Sequence, residues 1–180
     1  MKKLFLILSL VVTIAVLAFA NTRRKPDVDK IMLDCNAITS LQDPYKVVYS
    51  LRNITKTKYK FSIHMILLDS NAYFGSPQSS DRISGAFSLD FGDTTNISLI
   101  GELVEFPVAQ LKSNKFGPRM IHEVHENTTY TQAFELKTQT NFNTIGRVRF
   151  VIEPKCTLEE LHFGLKMESG KLTVIEDIEC

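Results

Sequence analysis

TLEELHFGLKMESGKLTVIEDI, residues 157–178, carries the fold decision. Thr157-Leu-Glu-Glu160 has the form of a capping box, and Gly170 stands where a helix could end. Helical spacing groups Leu158, Leu161 and Leu165 but throws Phe163 and Met167 to the far side. Strand spacing groups Leu161, Phe163, Leu165 and Met167 on one face, with His162, Gly164, Lys166 and Glu168 on the other. Ser169-Gly170 then supplies a tight turn, and Leu172, Val174 and Ile178 resume on a second strand. The stretch is therefore read as a β-hairpin.

The same alternation runs upstream. Ile31, Leu33, Cys35 and Ala37 share a face in a strand expected over 30–38, and Val47, Tyr49 and Leu51 in one over 46–54. Residues 58–69 are the clearest case, with Tyr59, Phe61, Ile63, Met65 and Leu67 set against Lys58, Lys60, Ser62 and His64. Further strands are expected over 83–91, 97–106, 119–126, 130–138 and 147–153, with a bulge near Gly101 where the parity slips. About ten short strands, one face apolar and the other polar, predict an all-β chain folded as an antiparallel β-sandwich of jelly-roll type. A closed up-and-down β-barrel is the alternative.

Residues 1–20 read as a signal peptide. Lys2 and Lys3 form the basic start, Leu4–Leu17 the apolar core, and Ala18-Phe19-Ala20 the small-residue cleavage site. The apolar run is short for a membrane span, although Arg23-Arg24-Lys25 behind it keeps a signal-anchored membrane protein as the alternative. Residues 21–29 are expected to be an N-terminal arm and 30–180 a single domain, secreted to the extracellular space. The 180-residue chain has a formal charge of +1, which falls to about −1 without Lys2 and Lys3. That balance offers no reason to expect nucleic acid or an anionic membrane as partner.

Three sequons, Asn53-Ile-Thr55, Asn96-Ile-Ser98 and Asn127-Thr-Thr129, mark glycosylation positions if the host modifies them. If successive strands run antiparallel, loops alternate between the two ends of the sandwich. One end then receives the loops near 39–45, 70–82, 107–118, 139–146 and 168–170, among them the aromatics Tyr73, Phe74, Phe116 and Phe142. The other end receives 55–57, 92–96, 127–129 and 154–160, with all three sequons. Loops on a rigid sandwich commonly carry binding surfaces, so the four aromatics are the expected ligand-binding positions. Cys156 and Cys180 fall together at the sequon end, which predicts a Cys156–Cys180 disulfide worth about 3 kcal/mol, with Cys35 left over.

Motifs for chemistry are weak. His122 and His125 are spaced i, i+3, which on a strand sends the rings to opposite faces, so no metal site is expected. Asp90, Asp93, Glu159, Glu160, Glu176, Asp177 and Glu179 supply carboxylates, yet none forms a hydrolase pattern, and no Trp is present to stack a sugar. Asp90, Asp93 and Asn96 lack the spacing of a calcium loop. Cys35 lies on an apolar parity, where a thiol is an inert core residue. The expectation is a secreted, non-enzymatic protein without cofactor that binds an extracellular protein or cell-surface ligand. The alternatives are a carbohydrate or lipid binder and, more remotely, a secreted glycoside hydrolase.

Overall fold

A computed structural model describes residues 43–79, 83–113 and 120–176. The signal segment, the arm, the strand expected over 30–38, Cys35, Phe116, Asp177, Glu179 and Cys180 lie outside them. In chain order the strands are β1 (Tyr45–Asn53), β2 (Lys58–Leu67), β3 (Tyr73–Gly75), β4 (Ser88–Asp90), β5 (Ile97–Phe106) and β6 (Gln110–Ser113). They continue with β7 (Met120–Val124), β8 (Thr128–Leu136), β9 (Phe142–Glu153), β10 (Thr157–Glu168) and β11 (Lys171–Glu176). A 3-10 turn at Pro77–Ser79 is the one helical element among the described residues.

The strands form two antiparallel sheets. Sheet A has the order β1-β2-β8-β5, and sheet B the order β11-β10-β9-β3-β7-β6, with β4 also paired to β9. The sheets are not closed into a barrel. The β-sandwich expectation is met, and the barrel alternative is not. Among the described residues, no helix is long and apolar enough to cross a membrane.

Inward-facing positions follow the predicted parity. In β2, Tyr59, Phe61, Ile63 and Met65 are buried, and in β10, Phe163, Leu165 and Met167. Strand wins over helix at 157–168 because only the period of two buries Phe163 and Met167 with the leucine between them. Ser169 and Gly170 both take positive φ, 51° and 76°, which is the backbone of a tight hairpin turn with matching twist. The inner faces meet in an aromatic core in which Phe61 stacks on Phe163 at 4.6 Å and Phe87 on Tyr130 at 3.7 Å.

Strand β9 is the spine of sheet B. Along one side it pairs with β10 over eleven residue pairs, from Phe142↔Met167 to Ile152↔Thr157. Along the other side β4 meets Arg147–Arg149, and β3 meets Ile152–Glu153. Gly146 makes room for this arrangement, since a Cβ there would run into the Phe163 ring and lie 2.7 Å from the Asp90 carbonyl oxygen.

Several boundaries differ from the sequence reading. The strand expected over 83–91 is reduced to Ser88–Asp90, because Gly85 at φ +87° bends the chain before it. The strand expected over 147–153 begins at Phe142. Two short strands, β3 and β6, have three and four residues, too few to show alternation. The bulge near Gly101 is present, with φ +66° there and a register shift between Ile100 and Val104.

One of these short strands, β6, overturns the assignment of loops to ends. Register places the turn at 54–57, the 92–96 loop, the 137–141 loop and the Ser169-Gly170 turn at one end. The loops at 68–72, 107–109, 125–127 and 154–156 lie at the opposite end. Asn53 and Asn96 share the first end, whereas Asn127 lies at the second, so the three sequons do not share one end. β3 and β4 both run antiparallel to β9, so leaving out β3 flips nothing, whereas β6 reverses the chain between β5 and β7 and flips the end of every later loop.

Candidate binding surface

Of the four aromatics, Phe116 lies outside the described residues, and the other three do not form one tip. Phe74 is 1% exposed and belongs to the core, packed against Phe150 at 5.6 Å between ring centres. Tyr73 stands opposite Glu153 at one end of β9, and Phe142 stands at the other end of the same strand. Phe142 is half-buried against the core. Tyr73 is also half-buried, and its ring stacks on His125 at 4.8 Å and 18°. Burial, with Glu153 and Glu123 adding to it, pushes the Tyr73 hydroxyl above the usual phenol range.

The histidines divide as their spacing requires. His122 turns inward, its Nδ1 3.2 Å from the Ala109 carbonyl oxygen. His125 is exposed, with Nε2 2.8 Å from Glu123 Oε2. A cleft of about 180 Å³ lies beside them, bordered by Pro107, Lys112, Glu123, His125 and Glu126. Among the described residues, no cluster of three His, Cys, Asp or Glu side chains is arranged to hold a metal.

The carboxylates are engaged locally. Arg147 holds Asp90 at 3.1 Å, and Arg149 holds Glu160 at 3.1 Å. Thr95 donates to Asp93 Oδ1 from its hydroxyl at 2.6 Å and its backbone N–H at 2.8 Å, and these bonds hold the Asp93 carboxyl below the usual range. Glu159 accepts from Tyr45 Oη at 2.9 Å and Thr157 Oγ1 at 2.7 Å. Each is used in a turn or an ion pair.

Sequence reasoning missed the open lateral edge where β5 ends and β6 begins. β5 is the outermost described strand of sheet A and β6 the outermost of sheet B. Pro107–Ala109 joins them. Phe106 is 75% exposed, Val108 60% and Val104 59%, with Leu99, Ile100 and Leu111 also exposed. Isolated exposed apolar residues need no explanation, but a run of them along two adjoining edges marks an interaction surface. Edge strands that stay unpaired are usually blunted by lysine or proline within them, and β5 contains neither. Its blunting devices are the bulge at Gly101, the exposed Glu102 and the inward-facing Glu105. The signal was present in sequence as ISLIGELVEF, where apolar residues occupy both parities.

A buried carboxylate fixes the geometry of this edge. Glu105, in β5, faces inward and accepts from four donors. Tyr130 Oη donates to Oε1 at 2.8 Å, and Ser76 Oγ, Gln78 Nε2 and the Ala109 N–H donate to Oε2 at 3.0, 3.3 and 3.1 Å. Burial, followed by the Glu105 charge, raises the Tyr130 hydroxyl far above the phenol range, so it stays a donor. One side chain thereby ties β5, β8, the 3-10 turn and the 107–109 connection together.

The fold and this edge define an all-β, two-sheet protein whose strand β5, rich in exposed apolar residues, pairs only with β8 among the described residues. Comparison with protein-family models, curated proteins and solved structures finds no match.

Proposed function

We propose that this chain is a secreted, non-enzymatic binding protein that recognises another extracellular or cell-surface protein along the free edge of β5. The observation that carries the reading is the ten-residue edge strand with Leu99, Ile100, Val104 and Phe106 exposed and no lysine to guard it. An extended segment of the partner would add a strand to sheet A, taking main-chain hydrogen bonds from β5 and apolar contact from those side chains. The Glu105 network supports this role by fixing the edge before binding, which lowers the ordering cost of association. Loop aromatics play a smaller part in this version than Tyr73, Phe74, Phe116 and Phe142 would have as a tip. The signal segment, glycans at Asn53, Asn96 and Asn127, and a Cys156–Cys180 disulfide belong to the same extracellular reading. In support of the bond, Cys156 lies in the 154–156 turn, and β11 runs toward that end.

The test places a photocrosslinking residue at Val104, on the secreted protein, in its native fluid and on the producing cells. A single partner should crosslink at 104, and Val104→Lys should abolish its capture while leaving the thermal midpoint unchanged. Capture of the same partner by Val104→Lys with undiminished affinity refutes the edge reading. Crosslinking of the chain to itself instead would mean that the edge is a dimer interface. Non-reducing peptide mapping and glycopeptide mass analysis check the disulfide and the glycans.

A further inference from the structure

Near-zero net charge conceals a local imbalance on the other side of sheet A. Tyr45–Lys60 contains Lys46, Arg52, Lys56, Lys58 and Lys60 and no acidic residue. Folded into the β1–β2 hairpin, Arg52 stands directly opposite Lys60. Both have the outward parity of their strands, because Tyr49, Tyr59 and Phe61 take the inward one. Like charges facing each other across two strands are unfavourable. None of the five cations forms an ion pair among the described residues. The nearest acid on this face is Glu135, opposite Lys58, and its Oε1 accepts from Thr57 Oγ1 at 3.0 Å.

Toward the middle of the sheet the same outer face carries hydroxyls. Register aligns Ser50, Ser62 and Thr131 in one row, and Val48, His64 and Thr129 in the next. Ser62 Oγ and Thr131 Oγ1 lie 3.2 Å apart. His64 bridges Ser50 Oγ at 3.1 Å through Nε2 and Thr129 Oγ1 at 3.0 Å through Nδ1. The result is an outer face with a cationic corner, in which Lys58 alone stands opposite an acid, and rows of hydroxyls, of which Ser62 is itself buried.

We propose that this face binds an anionic polysaccharide, whose sulfate or carboxylate groups lie on Arg52, Lys56, Lys58 and Lys60 and whose sugar hydroxyls meet the serine and threonine rows. Charge complementarity selects an anion, and the hydroxyl rows select a polyol. No aromatic platform on which nucleobases stack stands beside the cations, since the outward positions on β1, β2 and β8 are Lys, Val, Ser, Arg, Ile, His, Thr, Ala and Glu, and Phe106, on β5, lies beyond Thr129 at the opposite end of the sheet. The cationic corner on β1 and β2 is separated from β5 by β8, whereas Thr129 and Thr131 pair with Phe106 and Val104, so the hydroxyl rows adjoin the β5 edge.

The experiment measures binding of the secreted protein to immobilised heparin, with hyaluronan, uncharged dextran, single-stranded DNA and anionic phospholipid vesicles in parallel. A glycan on Asn53 would stand beside Arg52, so the Asn53→Gln form is measured as well. Heparin or hyaluronan should bind most tightly, more weakly as salt rises, and dextran should not bind. Arg52→Ser/Lys60→Ser should raise Kd about 25-fold, on about fivefold for each cation removed near an anionic surface. Lys166→Ser, on sheet B, should leave Kd unchanged. The double variant should melt no lower than the parent, because it removes a facing pair of like charges, and this separates lost binding from lost folding. Unchanged affinity in the double variant, equal binding to dextran, tighter binding to DNA or vesicles, or no binding in either glycan form overturns the proposal.

Discussion

Removing the Glu105 carboxylate should cost more than removing any other polar side chain on this edge. Glu105→Ala leaves the Tyr130 and Ser76 hydroxyls without their acceptor, and both residues are fully buried. An unsatisfied buried polar group costs about 1–3 kcal/mol. Two of them, with Gln78 and the Ala109 N–H able to turn to water, give about 4 kcal/mol. Glu105→Gln keeps the shape. Its oxygen can serve the three donors now on Oε2, and its amide can donate to a rotated Tyr130 hydroxyl, so only the charge assistance is lost, about 1–2 kcal/mol. Tyr130→Phe removes one bond to a carboxylate and should cost about 1.5–3 kcal/mol. Urea unfolding orders the three, and at a slope near 2 kcal/mol/M the alanine variant moves the midpoint by about 2 M. Hydrogen exchange at the Ala109 amide supplies a local readout, because its protection depends on the bond to Oε2. If Glu105→Ala costs less than Glu105→Gln, or exchange at Ala109 is unchanged in it, the carboxylate does not organise the edge.

Phe74→Ala should cost about 3–5 kcal/mol as a core truncation. Tyr73→Ala, one residue away, should cost about 0.5–1.5 kcal/mol through its stack on His125, so thermal melts of the pair distinguish core from surface. Burial raises the Glu153 pKa, so the folded chain holds that proton more tightly than the unfolded chain does. The resulting penalty is absent below the ordinary carboxyl range and grows as pH rises through it to the folded pKa. Glu153→Gln should therefore melt higher than the parent at pH 7 and equal to it at pH 3, and an equal difference at both values refutes the assignment.

The long elements were legible in sequence because each shows many repeats of one period. Residues 58–65 and 161–168 each alternate over eight positions, enough to favour strand over helix. Strands of three or four residues offer one or two alternations, which any loop can imitate, and so β3 and β6 passed unseen. Omitting β6 displaced Asn127 to the wrong end, and omitting β3 placed Phe74 at a loop tip instead of in the core. Contacts such as Tyr130 to Glu105 depend on which strands become neighbours, and periodicity carries no information on pairing. The edge was hidden for the same reason, since an apolar residue in β5 is unremarkable until β5 is known to be outermost.

The two outer faces handle charge in opposite ways. On sheet B the register sets unlike charges together, with Arg147 against Asp90, Arg149 against Glu160 and Lys166 near Glu168 at 2.9 Å. Exposed pairs of this kind contribute about 0–1 kcal/mol each, so their main effect is a locally neutral surface rather than a firmer fold. On sheet A the same kind of antiparallel register sets Lys58 opposite Glu135 but Arg52 against Lys60, with Lys56 in the same turn. A serine or a glutamate at either facing position would relieve the repulsion without touching the core, because both side chains point outward. Nothing in the packing of β1 on β2 requires two cations there. The arrangement therefore has no rationale within the fold itself, and an anionic ligand is the simplest external one.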